Sequence, residues 1–268
     1  MLRFRPVSCN NLRMSIVIVA KQSKTMKEIK QSIALIMLAL ALPFVSVAHP
    51  AVRINDITGN NHVITQNRTV TPYHAIKVSG GIDVELMQGK ELKLQVEADE
   101  NLVPLIRTEV KDGVLNIYHD ENIRNAKTLK VHLTFKDIDA ITASGGCDIV
   151  SKQKLGFSKL RLDLSGGCDI KLDCKAGKLD CVISGGCDAE LTGEAENCTI
   201  NASGGCDVKA SQLYLNNCTV DASGGSDVEI NVKGELNMKA SGASDITYTG
   251  KPAKVMQSSH GASEIHGR

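Results

Sequence analysis

The sequence predicts an all-β protein that folds as a right-handed parallel β-helix, a solenoid in which each coil uses about 19 residues. Two observations predict this fold. The motif ASGGCDI at 143–149 recurs through the second half of the chain, and the segments between its copies alternate apolar and polar residues. Successive motifs lie 21, 19, 19, 20, 18 and 19 positions apart when counted between their acidic residues, which are Asp148, Asp169, Asp188, Asp207, Asp227, Asp245 and Glu264.

One repeat unit, CDIKLDCKAGKLDCVISGG at 168–186, shows how a coil is built. Two short runs within it place an apolar residue at every second position, which indicates strands with one face toward a core. The segments KAG and SGG predict tight turns between these strands, because glycine tolerates the positive φ that such turns need. No helical period appears in this unit or in the units that follow it.

Two other β architectures compete with the solenoid. Propeller blades need about 40 residues, so these units are too short for one blade each. Antiparallel hairpins are disfavoured because the motif falls at the same phase of every unit. In a parallel β-helix, equivalent positions would stack about 4.8 Å apart, and parallel crossovers predict right-handed winding.

Stacking gives each position of the motif a predicted direction. The residue after the two glycines shares its phase with apolar strand residues and should point inward; it is Cys147, Cys168, Cys187, Cys206, Ser226, Ser244 and Ser263 in successive coils. The acidic residue that follows it should point outward. The sequence therefore predicts a row of carboxylates along one edge of the solenoid.

The first half of the chain predicts a different organisation. Residues 26–48 carry two lysines, an apolar run and the small residues Ser46-Val47-Ala48, a pattern typical of a secretory signal peptide. We interpret 1–25 as a non-native upstream extension and 49–70 as a linker. Residues 71–140 should form a β-rich segment that caps the first coil, with a short helix over 99–108, and 141–268 should form the repeats.

Composition limits the class of partner. Without residues 1–48 the chain has 24 Lys and Arg against 29 Asp and Glu, and this mildly acidic balance argues against a nucleic-acid partner. No later segment is long and apolar enough to predict a transmembrane helix. With the signal peptide, this predicts an exported protein that resides in the periplasm, on the outer surface or outside the cell.

The residues also resemble a known family. The segments YHAIKVSGGIDVELMQG and VEADENLVPLIRTEVKDGVLNI, together with the SGGCD and SGASD series, are similar to the head GIN domain (DUF2807) over about 71–265. That family is described as candidate autotransporter adhesins and is common in Bacteroidetes. The resemblance implies a β-helical envelope protein without an assigned activity, and it supplies no catalytic residues. Cysteine replaces serine in four motifs here, and the chain lacks the passenger-plus-barrel arrangement of a true autotransporter.

The carboxylate row has two interpretations. Each Asp could accept hydrogen bonds from the amides of its own turn, which is the interpretation we favour. Alternatively, the row could bind calcium, although one side chain per coil supplies few of the six to eight oxygens that this ion needs. The calcium candidates are Asp148, Asp169, Asp188, Asp207, Asp227 and Asp245.

The eight cysteines after Cys9 all fall at inward phases of strands. We expect them to be free core thiols, with disulfides as the alternative in an exported protein, and the absence of CxxC pairs disfavours zinc. They are Cys147, Cys168, Cys174, Cys181, Cys187, Cys198, Cys206 and Cys218.

No pattern in the sequence predicts catalysis or a cofactor. The chain has neither GxSxG nor HExxH, and its histidines are scattered. Lys171, Lys178 and Lys209 could serve a glycan-active enzyme, but Lys171 and Lys209 each follow a motif Asp by two residues and should pair along the same face. We therefore predict a non-enzymatic adhesin or binding module for an unknown extracellular or envelope glycan or protein, with self-association through the coil ends left open. The alternatives are a purely structural envelope protein and, less favoured, a glycan-active β-helix enzyme.

Overall fold

The computed structural model describes residues 56–268. The predicted signal peptide and upstream extension lie outside the described residues, as does most of the predicted linker. The described chain is almost entirely β-strand, with one 3-10 turn at Val103–Leu105. The strands of its first part are β1 (Ile57–Thr58), β2 (Val63–Arg68), β3 (Ala75–Ser79), β4 (Asp83–Gln88), β5 (Lys93–Asp99), β6 (Ile106–Lys111), β7 (Val114–His119), β8 (Ile123–Asn125) and β9 (Leu129–Phe135).

The repeat region continues with eleven strands, several of which run around more than one side of a coil. They are β10 (Ala140–Ser144), β11 (Asp148–Ser151), β12 (Leu155–Ser165), β13 (Asp169–Ser184), β14 (Asp188–Gly204), β15 (Asp207–Gly224), β16 (Asp227–Val232), β17 (Glu235–Gly242), β18 (Asp245–Gly250), β19 (Lys254–Gly261) and β20 (Glu264–Gly267).

Parallel pairing of equivalent residues confirms the predicted solenoid. Leu162 pairs with Cys181, Cys181 with Ile200, Ile200 with Val220, and Val220 with Met238, each one coil further along. Every pairing within the repeats is parallel, as coils wound in the same direction require. The prediction of a β-solenoid with coils of about 19 residues is therefore confirmed.

The spatial order of the first coils differs from their order in the chain. Strand β3 pairs in parallel with β10 on one side and with β7 on the other, and β4 lies in the same way between β11 and β9. The coil made by β7 and β9 therefore lies outside the coil made by β3 and β4, although it follows that coil in sequence. The chain forms the second coil at the end of the stack and then returns to build the repeats on the opposite side.

Antiparallel strands close this end of the solenoid, which confirms the predicted β-rich cap. Strand β5 pairs with β9 and with β2, and β6 pairs with β7. The Arg68 guanidinium donates to the carbonyl oxygens of Val103 and Ile106 and so fixes the link between β5 and β6. Because β5 and β6 occupy the outer edges of β9 and β7, the outermost coil presents no bare strand edge there.

The helix predicted for 99–108 was wrong. Asp99 ends β5, a single 3-10 turn occupies Val103–Leu105, and β6 begins at Ile106. Pairing of β6 with β7 satisfies the backbone hydrogen bonds of this segment and buries Ile106. Tertiary pairing thus overrides the weak local preference from which the helix was inferred.

The core lies inside the stack and is built from columns of small and medium apolar residues. One column contains Val84, Ile149, Ile170, Ala189 and Val208, which are paired in register and all buried. Burying an Ile or Val side chain contributes about 1.5–3 kcal/mol, so each coil adds a similar increment of stability.

The SGG corners adopt two geometries along the solenoid. In the first four corners both glycines have positive φ, as at Gly185 and Gly186. In the last four corners only the first glycine does, as at Gly224. The second position then no longer requires glycine, and alanine occupies it at Ala243 and Ala262.

Candidate functional site

The motif acids form a ladder along one edge of the solenoid, as predicted. Each motif acid is the parallel partner of the acid in the next coil. Asp148, Asp169 and Asp188 are examples, and their side chains face solvent. Asp83, in the first part of the chain, contributes a further carboxylate next to Asp148.

The role proposed for these acids in their own turns was wrong. Among residues 56–268 the carboxylates of the ladder accept no hydrogen bond from an amide of their own corner. The corner amides instead join the backbone ladder, as where Asp169 N–H donates to the Cys147 carbonyl at 3.1 Å. The amide of Asp188 behaves in the same way and donates to the Cys168 carbonyl at 3.1 Å.

Desolvation and the stacking of like charges raise the pKa of carboxylates in the ladder. Desolvation, followed by repulsion from Asp148 and Asp188, raises the pKa of Asp169. The pKa of Asp227 is raised in the same way, by desolvation and then by Asp207 and Asp245. The carboxylates therefore oppose one another, and solvent or cations must offset that repulsion.

The described residues contain no group of three or more His, Cys, Asp or Glu arranged to hold a metal ion. The six calcium candidates lie in one row with a single carboxylate per coil. The nearby corner carbonyls of Cys147 and Gly166 already accept backbone hydrogen bonds. Calcium binding by these residues stays a hypothesis, and the row lacks the convergence of oxygens that this ion prefers.

All eight cysteines of the described chain are buried and free. Burial raises the pKa of the Cys147 thiol to about 11 and that of Cys174 to about 12. The thiolate is the nucleophile and the metal ligand, so these groups are suited to packing and not to reaction. The predicted interpretation of the cysteines as core thiols agrees with these positions.

Lysines of the repeats pair with carboxylates both across coils and within one coil. Lys171 Nζ lies 3.1 Å from the Glu190 carboxylate in the next coil and not against Asp169, the partner expected from sequence. Lys178 pairs with Asp180, two residues later in the chain. These exposed pairs contribute little stability, typically below 1 kcal/mol each, and they form no cleft.

A different face of the solenoid carries the main concavity, a groove of about 610 Å³ beside the second corner of each coil. Its floor is an inward-facing column of four residues that reach the surface only slightly, with 3–6 % of each exposed. The floor residues are Phe157, Ala176, Ala195 and Leu215. The side chains of Ala176 and Ala195 are small, and the space that they leave unfilled forms part of the groove.

Two columns of outward-facing side chains form the walls of the groove. One wall follows the register Gly156, Lys175, Glu194, Tyr214 and Asn231, each paired with the next across neighbouring coils. The other wall lies at the corner, where it contains Gly177, Glu196, Asn216 and Lys233. Unlike the SGG corner, these columns change residue type at every coil.

Tyr214 is the most prominent side chain of this face, with 68 % of its surface exposed. It lines the groove on one side and a second depression of about 490 Å³ on the other. That depression also includes Lys154, Asp173 and Gln212. The aromatic ring therefore stands as a ridge between the groove and a more polar depression.

The polar groups of the groove are partly paired with one another. Lys175 Nζ lies 2.9 Å from Glu194 Oε1, and this contact raises the pKa of Lys175 and lowers that of Glu194. The Asn216 side-chain amide donates to Glu196 Oε1 at 2.7 Å. The two cations and two anions of the groove balance, and the site as a whole is close to neutral.

The groove was not predicted from the sequence. The available signal was Tyr214, an aromatic residue at an outward phase between the inward-facing Leu213 and Leu215. The repeated motif predicts the acidic edge, whereas a groove bounded by non-repeating residues has no sequence pattern of its own.

Comparison with known families identifies the chain. Residues 72–252 match the family described as “Putative auto-transporter adhesin, head GIN domain”. The chain belongs to the head GIN domain family. This match confirms the resemblance noted from the SGGCD series. A separate comparison with curated proteins found no match.

Solved structures of similar fold come from Bacteroides and Parabacteroides. A “putative adhesin” from Bacteroides fragilis aligns with a TM-score of 0.74 and 22 % identity over 79 % of this chain and 100 % of its own. A “putative adhesin” from Parabacteroides merdae aligns at 0.64 and 22 %, over 80 % and 99 %. A “putative lipid binding protein” from Parabacteroides distasonis aligns at 0.68 and 18 %, also over 80 % and 99 %. At these identities the likeness shows the head GIN fold alone.

The head GIN solenoid described here, residues 56–268, contains no helix long and apolar enough to cross a membrane.

Proposed function

We propose that this head GIN protein is a binding module of the cell envelope, an adhesin in the broad sense, and that it engages its ligand through the groove beside Tyr214. The observation that carries the proposal is the contrast between two faces of one solenoid. The corner motif repeats because it builds the fold, whereas the walls of the groove differ from coil to coil. Variation on a rigid scaffold is typical of recognition surfaces.

The scaffold supports such a role because it holds the groove residues in fixed positions. The central residues of the outer wall pair on both sides, as Glu194 does with Lys175 and Tyr214. A rigid surface loses little conformational entropy when it binds, so more of the free energy of its contacts contributes to affinity. The volume of the groove is also within the usual range for ligand sites.

A location outside the cytoplasm is part of this proposal. It rests on the signal peptide predicted for 26–48 and on the adhesin description of the family. Membership of that family also favours a role without turnover, which makes recognition the function to be tested first.

Self-association is a further part of the proposal. Among residues 56–268, strands β19 and β20 each pair with the preceding coil on one side only, and every residue of β19 is exposed. An unpaired edge is a template for another strand, and we propose that a second copy of this chain pairs there. Sedimentation velocity should detect a concentration-dependent dimer that Val255→Lys abolishes. A wild-type protein that stays monomeric at high concentration would exclude this mode.

The binding role is tested by screening the labelled full chain against immobilised glycans, matrix proteins, lipid vesicles and whole cells. Tyr214→Ala should lose the strongest signal. Met87→Ala, which removes an exposed side chain outside both the groove and β19, should retain it. Absence of binding to every surface would favour the structural alternative, and turnover of a glycan would show that the protein is an enzyme.

A further inference from the structure

We propose that the ligand of this groove is a neutral oligosaccharide that lies along the solenoid axis across the face of Tyr214. The inference rests on the proposed function and deepens it, because it assigns a chemical class to the ligand of the same site.

The shape of the groove indicates an extended ligand. Its outer wall takes one residue from each of five successive coils, from Gly156 to Asn231. With coils about 4.8 Å apart, the wall is about 19 Å long. A chain of several linked sugar rings matches this length, whereas a single small metabolite would occupy only a part of it.

Tyr214 provides the surface on which a sugar ring can stack. Its ring is largely exposed and rises between two concavities, so a pyranose can lie against it while neighbouring units enter the depressions on either side. The C–H groups of a pyranose face pack well against an aromatic ring. The phenolic hydroxyl can hydrogen-bond with the sugar at the same time, since tyrosine offers a rigid apolar body with a polar tip.

The remaining wall groups match the mixed donor and acceptor character of sugar hydroxyls. Asn216 uses one amide hydrogen on Glu196 and keeps its carbonyl oxygen for a ligand. Asn231 donates to the Ser211 carbonyl at 3.3 Å, which orients its own carbonyl oxygen. Sugar hydroxyls can donate to these side-chain oxygens, and they can accept a hydrogen bond from the ammonium of Lys233.

Charge balance favours a neutral ligand over an anionic glycan. The Lys175 ammonium is already held by Glu194 at 2.9 Å, and Glu196 places a second carboxylate along the opposite wall. A uronate or sulfate would have to approach these carboxylates without a free cluster of cations to attract it.

The groove floor argues against a lipid tail. The four floor side chains are 94–97 % buried within the solenoid, so they offer only narrow strips of apolar surface. A lipid chain needs an enclosed apolar cavity, because its stabilisation scales with the area removed from water. This groove is open to solvent along its length and forms no such enclosure.

The test uses a glycan array together with titration calorimetry on the full chain. The neutral probes are maltohexaose, cellohexaose, xylohexaose and mannohexaose. The comparison probes are oligogalacturonate, extended peptides and phosphatidylcholine vesicles. We expect at least one neutral oligosaccharide to bind with an affinity that changes little with salt, since no charge is neutralised on binding.

Variants then locate the site. Tyr214→Ala should weaken binding about tenfold or more, while Tyr214→Phe should stay within about threefold because the ring remains. Asn216→Ala should weaken binding about fivefold. Met87→Ala, at an exposed residue outside both the groove and β19, should match the wild type, and thermal unfolding of all four variants should confirm that they fold.

The possible failures are distinct. Binding of only the uronate, the peptides or the vesicles, with loss in Tyr214→Ala, would overturn the sugar class and leave the binding module standing. Sugar binding that Tyr214→Ala does not weaken would overturn the assignment to this groove. Binding of nothing by the wild type would overturn both proposals.

Discussion

The thiol of Cys187 lies 3.1 Å from the carbonyl oxygen of Ser184, three residues before it, and donates a hydrogen bond that closes the corner between them. The same bond recurs at 2.9–3.3 Å in six other corners, whether the donor is a thiol or a hydroxyl. The donors are Cys147, Cys168, Cys206, Ser226, Ser244 and Ser263. This shared bond explains why the motif accepts either cysteine or serine after its glycines.

Replacing Cys187 separates packing from hydrogen bonding. Cys187→Ser keeps the donor and should change the free energy of unfolding by less than about 1 kcal/mol. Cys187→Ala removes the donor and leaves a small void, and it should cost about 1–3 kcal/mol. Urea unfolding followed by far-UV circular dichroism under reducing conditions measures both, since the chain has no Trp for fluorescence. Equal losses in the two variants would contradict a role for the hydrogen bond.

The two corner geometries predict opposite results for one substitution. Gly186 has φ +81°, so Gly186→Ala forces alanine into the left-handed region and should destabilise the protein by about 1–2 kcal/mol. No atom lies closer than 3.9 Å to the added methyl group, and the cost is therefore conformational.

Gly225 occupies the same motif position in a later coil and is the matched control. Its φ is not positive, and Gly225→Ala should be neutral or stabilise the protein by up to about 1 kcal/mol. The chain itself has alanine at this position at Ala243. Thermal unfolding of the two variants in parallel decides the point, and a similar loss in both would show that φ is not the determinant.

The parts of this fold that could be predicted from sequence are those that repeat. The inward direction of Cys168 and Ala202 followed from alternation, and the coil length followed from the spacing of the motif. The outer position of the coil formed by β7 and β9 could not be predicted, because it depends on pairing between strands far apart in the chain. The groove depends on contacts among side chains such as Lys175 and Glu194 in different coils, which no local pattern encodes.

The acidic ladder predicts a pH dependence of stability. In the folded chain the pKa of Asp169 is raised above its unfolded value by desolvation and by its two acidic neighbours. Between the unfolded and the raised pKa, the folded state holds more protons than the unfolded state. The contribution of Asp169 to stability therefore improves as pH falls from neutral through the raised pKa.

Asp169→Asn should remove that contribution while it preserves the size and shape of the side chain. We expect a gain of a few tenths of a kcal/mol at pH 7, since the group is exposed and screened, and no gain below the ordinary pKa of Asp. Urea unfolding at several pH values, with the wild type as reference, measures the difference. A loss of stability at pH 7 would mean that the ladder carboxylate makes a favourable contact, for instance with a bound cation, and added calcium would then test that ion.

Burial of the thiols predicts that the native protein resists alkylation. With the pKa of Cys147 raised to about 11 by burial, roughly one molecule in ten thousand carries its thiolate at pH 7. Iodoacetamide should therefore leave all eight cysteines of the described chain unmodified in the native state and modify all eight in denaturant, as read by peptide mass spectrometry. Cys198 and Cys218 are the sharpest test, because they are parallel partners in adjacent coils. If this pair becomes reactive in denaturant only after reduction, the two residues form a disulfide, and the expectation of free thiols is wrong for them.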